Sequence, residues 1–397
     1  MANIALLGHG VVGSGTARVL LEKKEEWPAR VGEDLTLKYI FVRHDYDVDY
    51  RDLFVYDIDT ILDDDTVDVV VEVMGGTDPA YKYVKAALQR GKSVVTSNKQ
   101  LVAEHGFELM NIAFEKNVNF LFEGAVAGAV PVIHSIRNTL MANDVREICG
   151  IINGTTNFIL SKMVKEGMSF DDALKDAQRL GYAEADPSRD VDGLDTCRKI
   201  CILATLCFGS HVYPFGIHTE GIRKVRIEDI RILSGLGKTV KLLGYARKME
   251  DGRLFIGTAP FVVDRDDILY SVSDAFNAVE IETDNAGTLG FFGRGAGSLP
   301  TASAVVNDIC ECVSAISTLY APWMDAGNEI LDFDSVPGTF YVNVKAGKDL
   351  DLDSRFLGAT VLSRKNGEVA FTVDGITRTD LGSRLGDADV NAVIRYK

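Results

Sequence analysis

The feature that most constrains the fold is a glycine-rich turn near the start of the chain. Residues 3–7 are apolar and strand-like, and the turn Gly8-His9-Gly10-Val11-Val12-Gly13 leads from them into a helical pattern over residues 14–24. Such a turn lets the backbone approach a pyrophosphate at the helix N-terminus, where amide dipoles favour an anion. We therefore predict a dinucleotide site formed by Gly8, Gly10, Val11, Val12 and Gly13. The alternative is a tight turn that binds nothing.

Strands and helices alternate after this turn. Strands are predicted at residues 37–42, 67–73, 93–96 and 119–123, with helices at 79–89 and 100–117. The β-branched run 67–73 is typical of a strand buried on both faces of a parallel sheet. The pattern predicts an α/β, Rossmann-type nucleotide-binding domain over residues 1–128, completed by about 298–330 with a helix at 301–319.

The pattern then changes to longer helices and fewer strands. Strands at 145–152, 254–263 and 278–283, with helices at 158–166, 169–180, 194–208 and 227–232, predict an α+β domain with its own sheet over residues 129–297. Residues 331–397 are predicted to form a separate small unit. Its strands are expected at 339–346, 359–364, 369–373 and 391–396, with a short helix at 379–385.

Charge and composition exclude several classes of partner. The net charge of −16 argues against binding to nucleic acid or to anionic lipid, because both require basic patches. No apolar run approaches the ~20 residues that cross a membrane. The start of the chain has no basic region typical of a secretory signal, and the six cysteines form no C-x-x-C pair. We expect a cytoplasmic protein with reduced thiols, acting on a small molecule.

An acidic stretch at residues 181–199 is the strongest candidate for a substrate site. Asp195 and Lys199 are spaced i, i+4 on an otherwise apolar helical stripe, so the pair is expected to point inward. Glu184 and Asp190 lie shortly before it. Carboxylates beside a lysine suit a small cationic substrate that bears a hydroxyl. The alternative is a surface ion pair worth ~0.3–0.5 kcal/mol.

Three further residues follow the carboxyl ends of two predicted parallel strands, the edge at which such sheets bind ligands. Ser97 and Lys99 follow the strand 93–96, and Lys99 begins a helix, where a cation is unfavourable. It is therefore a functional candidate, although an exposed lysine is the alternative. Arg43 follows the second strand, where it suits the 2′-phosphate of NADP. Asp45 leaves NAD open, with NADP favoured.

The chain closely resembles the homoserine dehydrogenases over residues 1 to about 325. The motifs that carry the resemblance lie at residues 8–13, 97–99, 123–131, 150–157, 181–199, 293–297 and 300–305. The resemblance implies NAD(P)-dependent interconversion of aspartate β-semialdehyde and homoserine, on the route to threonine, methionine and isoleucine. It also implies that residues 129–297, the middle domain, form the α+β catalytic and dimerisation domain, with a homodimer formed through its sheet.

The resemblance assigns roles to individual residues. Lys199 is expected to be the acid/base that protonates the developing alkoxide, with Lys99 assisting and Asp195 beside the substrate. Glu184 is expected to bind the substrate ammonium. Further expected contacts are Asp190, Gly154 and Thr155 to the substrate, Gly297 to the cofactor, and the backbone carbonyls of Glu123, Val126, Gly128 and Val130 to a sodium ion.

Two departures from the family pattern limit what the resemblance implies. Arg189 replaces an acidic residue that some members carry, so contacts through this position are open. Residues 331–397 resemble an ACT-type regulatory domain with βαββαβ order, but residues 347–357 are too few for a full first helix. This small ACT-like C-terminal domain leaves inhibition by threonine open.

Two rival hypotheses remain from the sequence. One is a non-catalytic protein of the same fold that senses NADP and amino acids. The other is aspartate-semialdehyde dehydrogenase, which needs a nucleophilic cysteine. Residues 153–157 resemble the cysteine motif of phosphorylating glyceraldehyde-phosphate dehydrogenases, but Gly154 stands where their cysteine is. A complete set of Glu184, Asp195 and Lys199 favours the homoserine dehydrogenase reaction.

Overall fold

The computed structural model describes residues 1–314, 323–325, 327, 329–345, 352–356 and 358–397. It divides the chain into two compact units. Unit 1 comprises residues 1–143, 201–214 and 291–327, and unit 2 comprises residues 144–200, 215–290 and 328–397. Among the described residues, no helix combines the length and the apolar character that crossing a membrane requires.

Sixteen strands are present in the described part of the chain. They are β1 (Ala2–Leu7), β2 (Leu35–Phe41), β3 (Phe54–Val55), β4 (Val69–Glu72), β5 (Ser93–Thr96), β6 (Phe120–Leu121), β7 (Val145–Ile151), β8 (His218–Thr219), β9 (Lys238–Lys248), β10 (Leu254–Asp264), β11 (Phe276–Thr283), β12 (Thr288–Arg294), β13 (Gly338–Lys345), β14 (Thr360–Lys365), β15 (Glu368–Ile376) and β16 (Val390–Tyr396).

The α-helices of the same residues are α1 (Val11–Glu22), α2 (Trp27–Val31), α3 (Asp59–Leu62), α4 (Ala80–Gln89), α5 (Lys99–Lys116), α6 (Val132–His134), α7 (Gly154–Glu166), α8 (Phe170–Arg179), α9 (Ser188–Val191), α10 (Leu194–Phe208), α11 (Ile227–Ser234), α12 (Ser298–Val313), α13 (Leu352–Arg355) and α14 (Arg378–Leu385). The predicted helix at 301–319 is therefore found as α12, and its residues 315–319 lie outside the described part.

Unit 1 contains a six-stranded parallel sheet in the order β3-β2-β1-β4-β5-β6. The strand order reverses between β1 and β4, which makes this edge the topological switch point of a Rossmann-type sheet. The prediction of such a domain is confirmed. Its core joins apolar residues of the strands, such as Ile4 and Val71, to Val305 and Ile309 of α12. The unit extends to residue 143 rather than to residue 128.

Unit 2 is built around a mixed sheet in the order β12-β11-β7-β9-β10-β16-β13-β15-β14. The long strands β9 and β10 pair antiparallel over their full lengths at its centre. The sequence prediction missed β9, because Lys241 and Gly244 interrupt its apolar pattern. Gly244 is required here, since a Cβ at this position would lie 2.9 Å from the Cβ of Ile200.

The C-terminal strands differ from the prediction of a separate small unit. They have the predicted βαββαβ order and are arranged β16-β13-β15-β14, as in ferredoxin-like folds. However, β16 pairs parallel with β10 through Phe261↔Arg395 and Val262↔Tyr396. Because this pairing makes the sheet continuous, residues 328–397 belong to the same compact unit as the middle of the chain.

Candidate active site

The glycine-rich turn of unit 1 has the geometry of an anion cradle. Gly8 has a φ of +107°, and a Cβ on Gly13 would lie 2.2 Å from the Gly8 carbonyl oxygen. Both positions therefore require glycine for the turn itself. A Cβ on Gly10, in contrast, would meet nothing within 4 Å. Gly10 thus leaves open space at the N-terminus of α1, where no side chain caps the helix.

A second helix N-terminus lies beside this turn. Gly297, with a φ of +120°, precedes α12, which also lacks a side-chain cap. The Ser298 hydroxyl donates a hydrogen bond of 2.7 Å to the carbonyl of Val11. The starts of α1 and α12 are therefore adjacent, and both favour a negative charge. These features fit the pyrophosphate of a dinucleotide.

Arg43 is exposed two residues beyond the end of β2. Nearby, Asp45 accepts a hydrogen bond from the Tyr56 hydroxyl. Sequence reasoning missed the aromatic cluster below this edge, in which His9 packs against Tyr46 with ring centroids 4.6 Å apart. The cluster depends on side chains that are far apart in the sequence, so no local signal could reveal it.

Ser97 and Lys99 follow β5 in unit 1, and Lys99 is the first residue of α5. Asn98 caps this helix by accepting a hydrogen bond of 3.1 Å from the backbone amide of Leu101. The cap fixes the start of α5 and with it the backbone position of Lys99. These residues lie at the carboxyl edge of the sheet, as predicted.

In unit 2, Asp195 and Lys199 form an ion pair with 2.8 Å between Nζ and Oδ2. The pair is buried, with residue exposures of 4% and 9%. The pair is therefore not a surface ion pair, which was the alternative prediction from the sequence. Lys199 Nζ also donates a hydrogen bond of 2.8 Å to the carbonyl of Ile152 at the end of β7. The lysine is thus anchored between a carboxylate and a backbone carbonyl.

Asn153 joins this pair to Asp190. Its side-chain amide donates to Asp190 Oδ1 at 2.7 Å and to Asp195 Oδ2 at 3.0 Å. Its carbonyl oxygen accepts from the amide of Thr156 at 2.9 Å and so caps α7. Sequence reasoning missed this residue, because a buried asparagine has no signature until its two carboxylate partners are known.

The loop that precedes α9 is attached to the start of α7. The Thr155 hydroxyl donates to the carbonyl of Tyr182 at 2.6 Å, and the Tyr182 ring stacks on Phe158. Glu184 and Arg189 are both exposed in this region. The structure therefore joins Asp190, Asp195 and Lys199, whereas Glu184 lies on the surface of the loop beside them.

Gly154, the first residue of α7, has little room for a side chain. A Cβ there would lie 3.0 Å from the carbonyl oxygen of Ala275. Position 154 therefore holds no thiol nucleophile, whereas a lysine held beside carboxylates is an arrangement suited to proton transfer and to recognition of a cation. This counts against aspartate-semialdehyde dehydrogenase.

The loop over residues 123–130 is buried except for Ala129. Ala127 and Gly128 both have left-handed backbones, with φ of 56° and 58°. A Cβ on Gly128 would lie 2.5 Å from the carbonyl of Gly295, so only glycine fits. Among the described residues, no group of three or more His, Cys, Asp or Glu side chains could hold a metal ion. A cation in this loop would therefore need backbone oxygens.

Comparisons with known proteins cover residues of both units. Residues 8–123 match the family described as Homoserine dehydrogenase, NAD binding domain, and residues 131–310 match Homoserine dehydrogenase. A homoserine dehydrogenase of Neisseria gonorrhoeae is 39% identical over 356 residues, which cover 87% of this chain and 82% of the relative.

Solved structures agree with the sequence matches. A homoserine dehydrogenase from Thiobacillus denitrificans aligns with a TM-score of 0.91 and 34% identity, covering 100% of this chain and 98% of its own. A hyperthermophilic archaeal homoserine dehydrogenase in complex with NADPH has a TM-score of 0.68 and 30% identity, covering 80% and 99%. The hypothesis of a non-catalytic sensor gains no support from these relatives. The chain belongs to the homoserine dehydrogenase family of oxidoreductases.

Proposed function

We propose that Lys199 is the proton donor in the reduction of aspartate β-semialdehyde to homoserine. When bound, the nicotinamide cofactor supplies the hydride, and negative charge then develops on the former aldehyde oxygen. An ammonium held in place stabilises that charge and neutralises it by giving up a proton. The observation that carries this proposal is the burial of Lys199 between Asp195 and the carbonyl of Ile152.

The acidic groups around Lys199 give specificity for an amino-acid substrate. Asp190 and Asp195 are held by one amide group, that of Asn153. Glu184 is exposed on the adjoining loop, where it is accessible to a substrate ammonium. Gly154 and Thr155 begin the same segment as further substrate contacts. The contribution of Lys99 remains a prediction from the family resemblance.

NADP is the favoured cofactor. Arg43 offers an exposed guanidinium beyond β2, which suits a 2′-phosphate. Asp45, the acidic alternative for ribose hydroxyls, is engaged by Tyr56. The NADPH complex of the archaeal relative supports the same choice.

A sodium ion and a regulatory ligand complete the proposal. The buried loop that contains Glu123, Val126, Gly128 and Val130 offers backbone oxygens, which suit a hard cation. The ferredoxin-like arrangement of β13 to β16 supports an ACT-like module, whose first helix is described over four residues, Leu352–Arg355. We further propose a homodimer formed through the sheet of unit 2.

One assay tests most of these points. The rate at which homoserine reduces NAD or NADP is measured in parallel assays. Each assay is run with and without threonine, and in buffers that contain either sodium or an organic cation. We expect turnover that is faster with NADP and higher in sodium. If neither NAD nor NADP supported turnover, the catalytic assignment would be contradicted. Light scattering on the same sample gives the oligomeric state.

A further inference from the structure

Glu72 is a fully buried carboxylate that the proposed reaction does not use. It ends β4, where the residues before it are Val69, Val70 and Val71, and its exposure is 0%. Burial raises the pKa of this carboxyl group. A carboxylate in such a position is costly unless it accepts hydrogen bonds. An apolar side chain would suit this buried strand better than a carboxylate. The role of Glu72 therefore depends on its hydrogen-bond partners.

The carboxylate accepts hydrogen bonds from the loop after β4 and from the end of β5. Oε1 accepts from the backbone amides of Met74 at 2.7 Å and Gly75 at 3.2 Å, in the loop after β4. Oε2 accepts from the hydroxyl of Thr96 at 2.7 Å, at the end of β5. Glu72 therefore ties the loop after β4 to the neighbouring strand.

The connection continues to the start of α5. The Thr96 hydroxyl accepts a hydrogen bond of 3.0 Å from the backbone amide of Asn98. The Asn98 side chain in turn donates to the carbonyl of Gly76 at 2.6 Å. Glu72, Thr96 and Asn98 thus close a ring that fixes the loops after β4 and β5, including the residue before Lys99.

The glycine-rich turn packs against the segment that follows β4. A Cβ on Gly8 would lie 3.1 Å from the Met74 side chain and 3.3 Å from its backbone. A Cβ on Gly13 would lie 3.2 Å from a methyl group of Val73. The loop held by Glu72 is therefore packed against Gly8 and Gly13 of the cradle described above.

The position of Glu72 indicates which half of the cofactor it serves. A Rossmann-type sheet binds one mononucleotide on each side of its switch point. Arg43 and the adenosine side follow β2, so β4 and β5 border the nicotinamide side. Gly75 and Gly76 have φ of +75° and +74°, and a Cβ on either would meet nothing within 4 Å. Their surface is thus open to a ligand.

We propose that Glu72 is a positioning residue that holds the nicotinamide half of the cofactor site, by fixing the loops after β4 and β5 through Thr96 and Asn98. The proposal rests on the dehydrogenase function, since only hydride transfer requires that half to be precisely placed. Glu72 leaves the adenosine half of the cofactor site unaffected.

The test compares two ligands on Glu72→Gln. The amide keeps the size of the side chain but leaves the Thr96 hydroxyl proton without its acceptor. We expect NADPH affinity and kcat to fall by about fivefold to tenfold, the effect of one lost buried hydrogen bond, while affinity for 2′,5′-ADP is unchanged. Equal loss for both ligands would show a merely structural role, and no loss for either would also overturn the proposal.

Further variants keep the test valid if Glu72→Gln folds poorly. Thr96→Val removes the hydroxyl that links Glu72 to Asn98, whereas Thr96→Ser retains it. The first should reproduce the selective loss of NADPH affinity, and the second should restore it. Glu108→Gln is the matched control, because Glu108 pairs with Lys85 in the same unit. Binding of NADPH and of 2′,5′-ADP is measured directly and does not require turnover. A wild-type protein without turnover would therefore contradict the catalytic assignment but not the positioning role of Glu72.

Discussion

At the scale of single residues, Lys199 is held by a carboxylate and by a backbone carbonyl. Asp195 stabilises its ammonium and the carbonyl of Ile152 orients it, so the side chain is held in one direction inside unit 2. A lysine held in this way loses little entropy when it meets a substrate oxygen. Removing it should therefore affect the chemical step far more than cofactor binding.

We expect Lys199→Ala to lower kcat by about 10²- to 10⁴-fold, the usual contribution of a general acid. The Kd for NADPH, measured by fluorescence titration, should stay within about twofold of wild type, since nucleotide affinity is set mainly by the cradle in unit 1. Lys175→Ala, which removes an exposed lysine, is the control. A variant at position 199 that keeps the wild-type rate would refute the assignment of the proton donor.

Asn153→Asp tests the group that holds the two carboxylates. Aspartate can still cap α7, but it replaces a donor to Asp190 and Asp195 with a third negative charge. We expect kcat/KM for homoserine to fall about tenfold or more, from the loss of charge-assisted hydrogen bonds and from repulsion. Circular dichroism should show an unchanged helix content. An unchanged kcat/KM would mean that the carboxylates do not need this bridge.

At the scale of elements, the sequence predicted strands whose pattern is local and missed those whose pattern is not. The run 67–73 and the helix 194–208 were found because apolar periodicity marks each of them. β9 was missed because Lys241 is buried by contacts from other elements and because Gly244 makes room for Ile200. Asn153 was missed for the same reason, because its partners Asp190 and Asp195 are 37 and 42 residues away in the sequence.

The burial of Lys241 in β9 predicts how the free energy of unfolding depends on pH. Its ammonium donates to the Val272 carbonyl and to Asn157, and burial lowers the pKa of Lys241 to about 8. Between this value and the ~10.4 of an unfolded chain, the unfolded state binds more protons, so stability rises with pH. Relative to Lys241→Met, the wild-type free energy of unfolding should increase by up to about 3 kcal/mol across this window.

The measurement is urea unfolding of both proteins at several pH values between the two pKa values. Only the difference between the proteins is used, because tyrosines and exposed lysines titrate in the same window in both. A difference that falls as pH rises would have the wrong sign for a desolvated ammonium. A constant difference would mean that Lys241 keeps its ordinary pKa.

At the scale of the whole molecule, the C-terminal segment shares its core with the rest of unit 2. Tyr341 of β13 and Ile394 of β16 lie in the same buried cluster as Leu242 of β9 and Ile159 of α7. Asp229 of α11 is fully buried and accepts hydrogen bonds from Tyr341 at 2.7 Å and from Asn343 at 2.6 Å. A ligand bound to this segment would therefore act on an element that is continuous with the rest of the unit 2 sheet.

This shared core predicts that the C-terminal segment does not unfold by itself. In hydrogen exchange measured by mass spectrometry, the amides of β13 and β16 should open with the same free energy as those of β10, because one sheet and one core join them. Tyr341→Phe removes a hydrogen bond to a buried carboxylate and should lower the protection of all three strands together, by about 1–3 kcal/mol. Loss of protection in β13 and β16 alone, with β10 unaffected, would show instead that residues 338–397 form an independent folding unit.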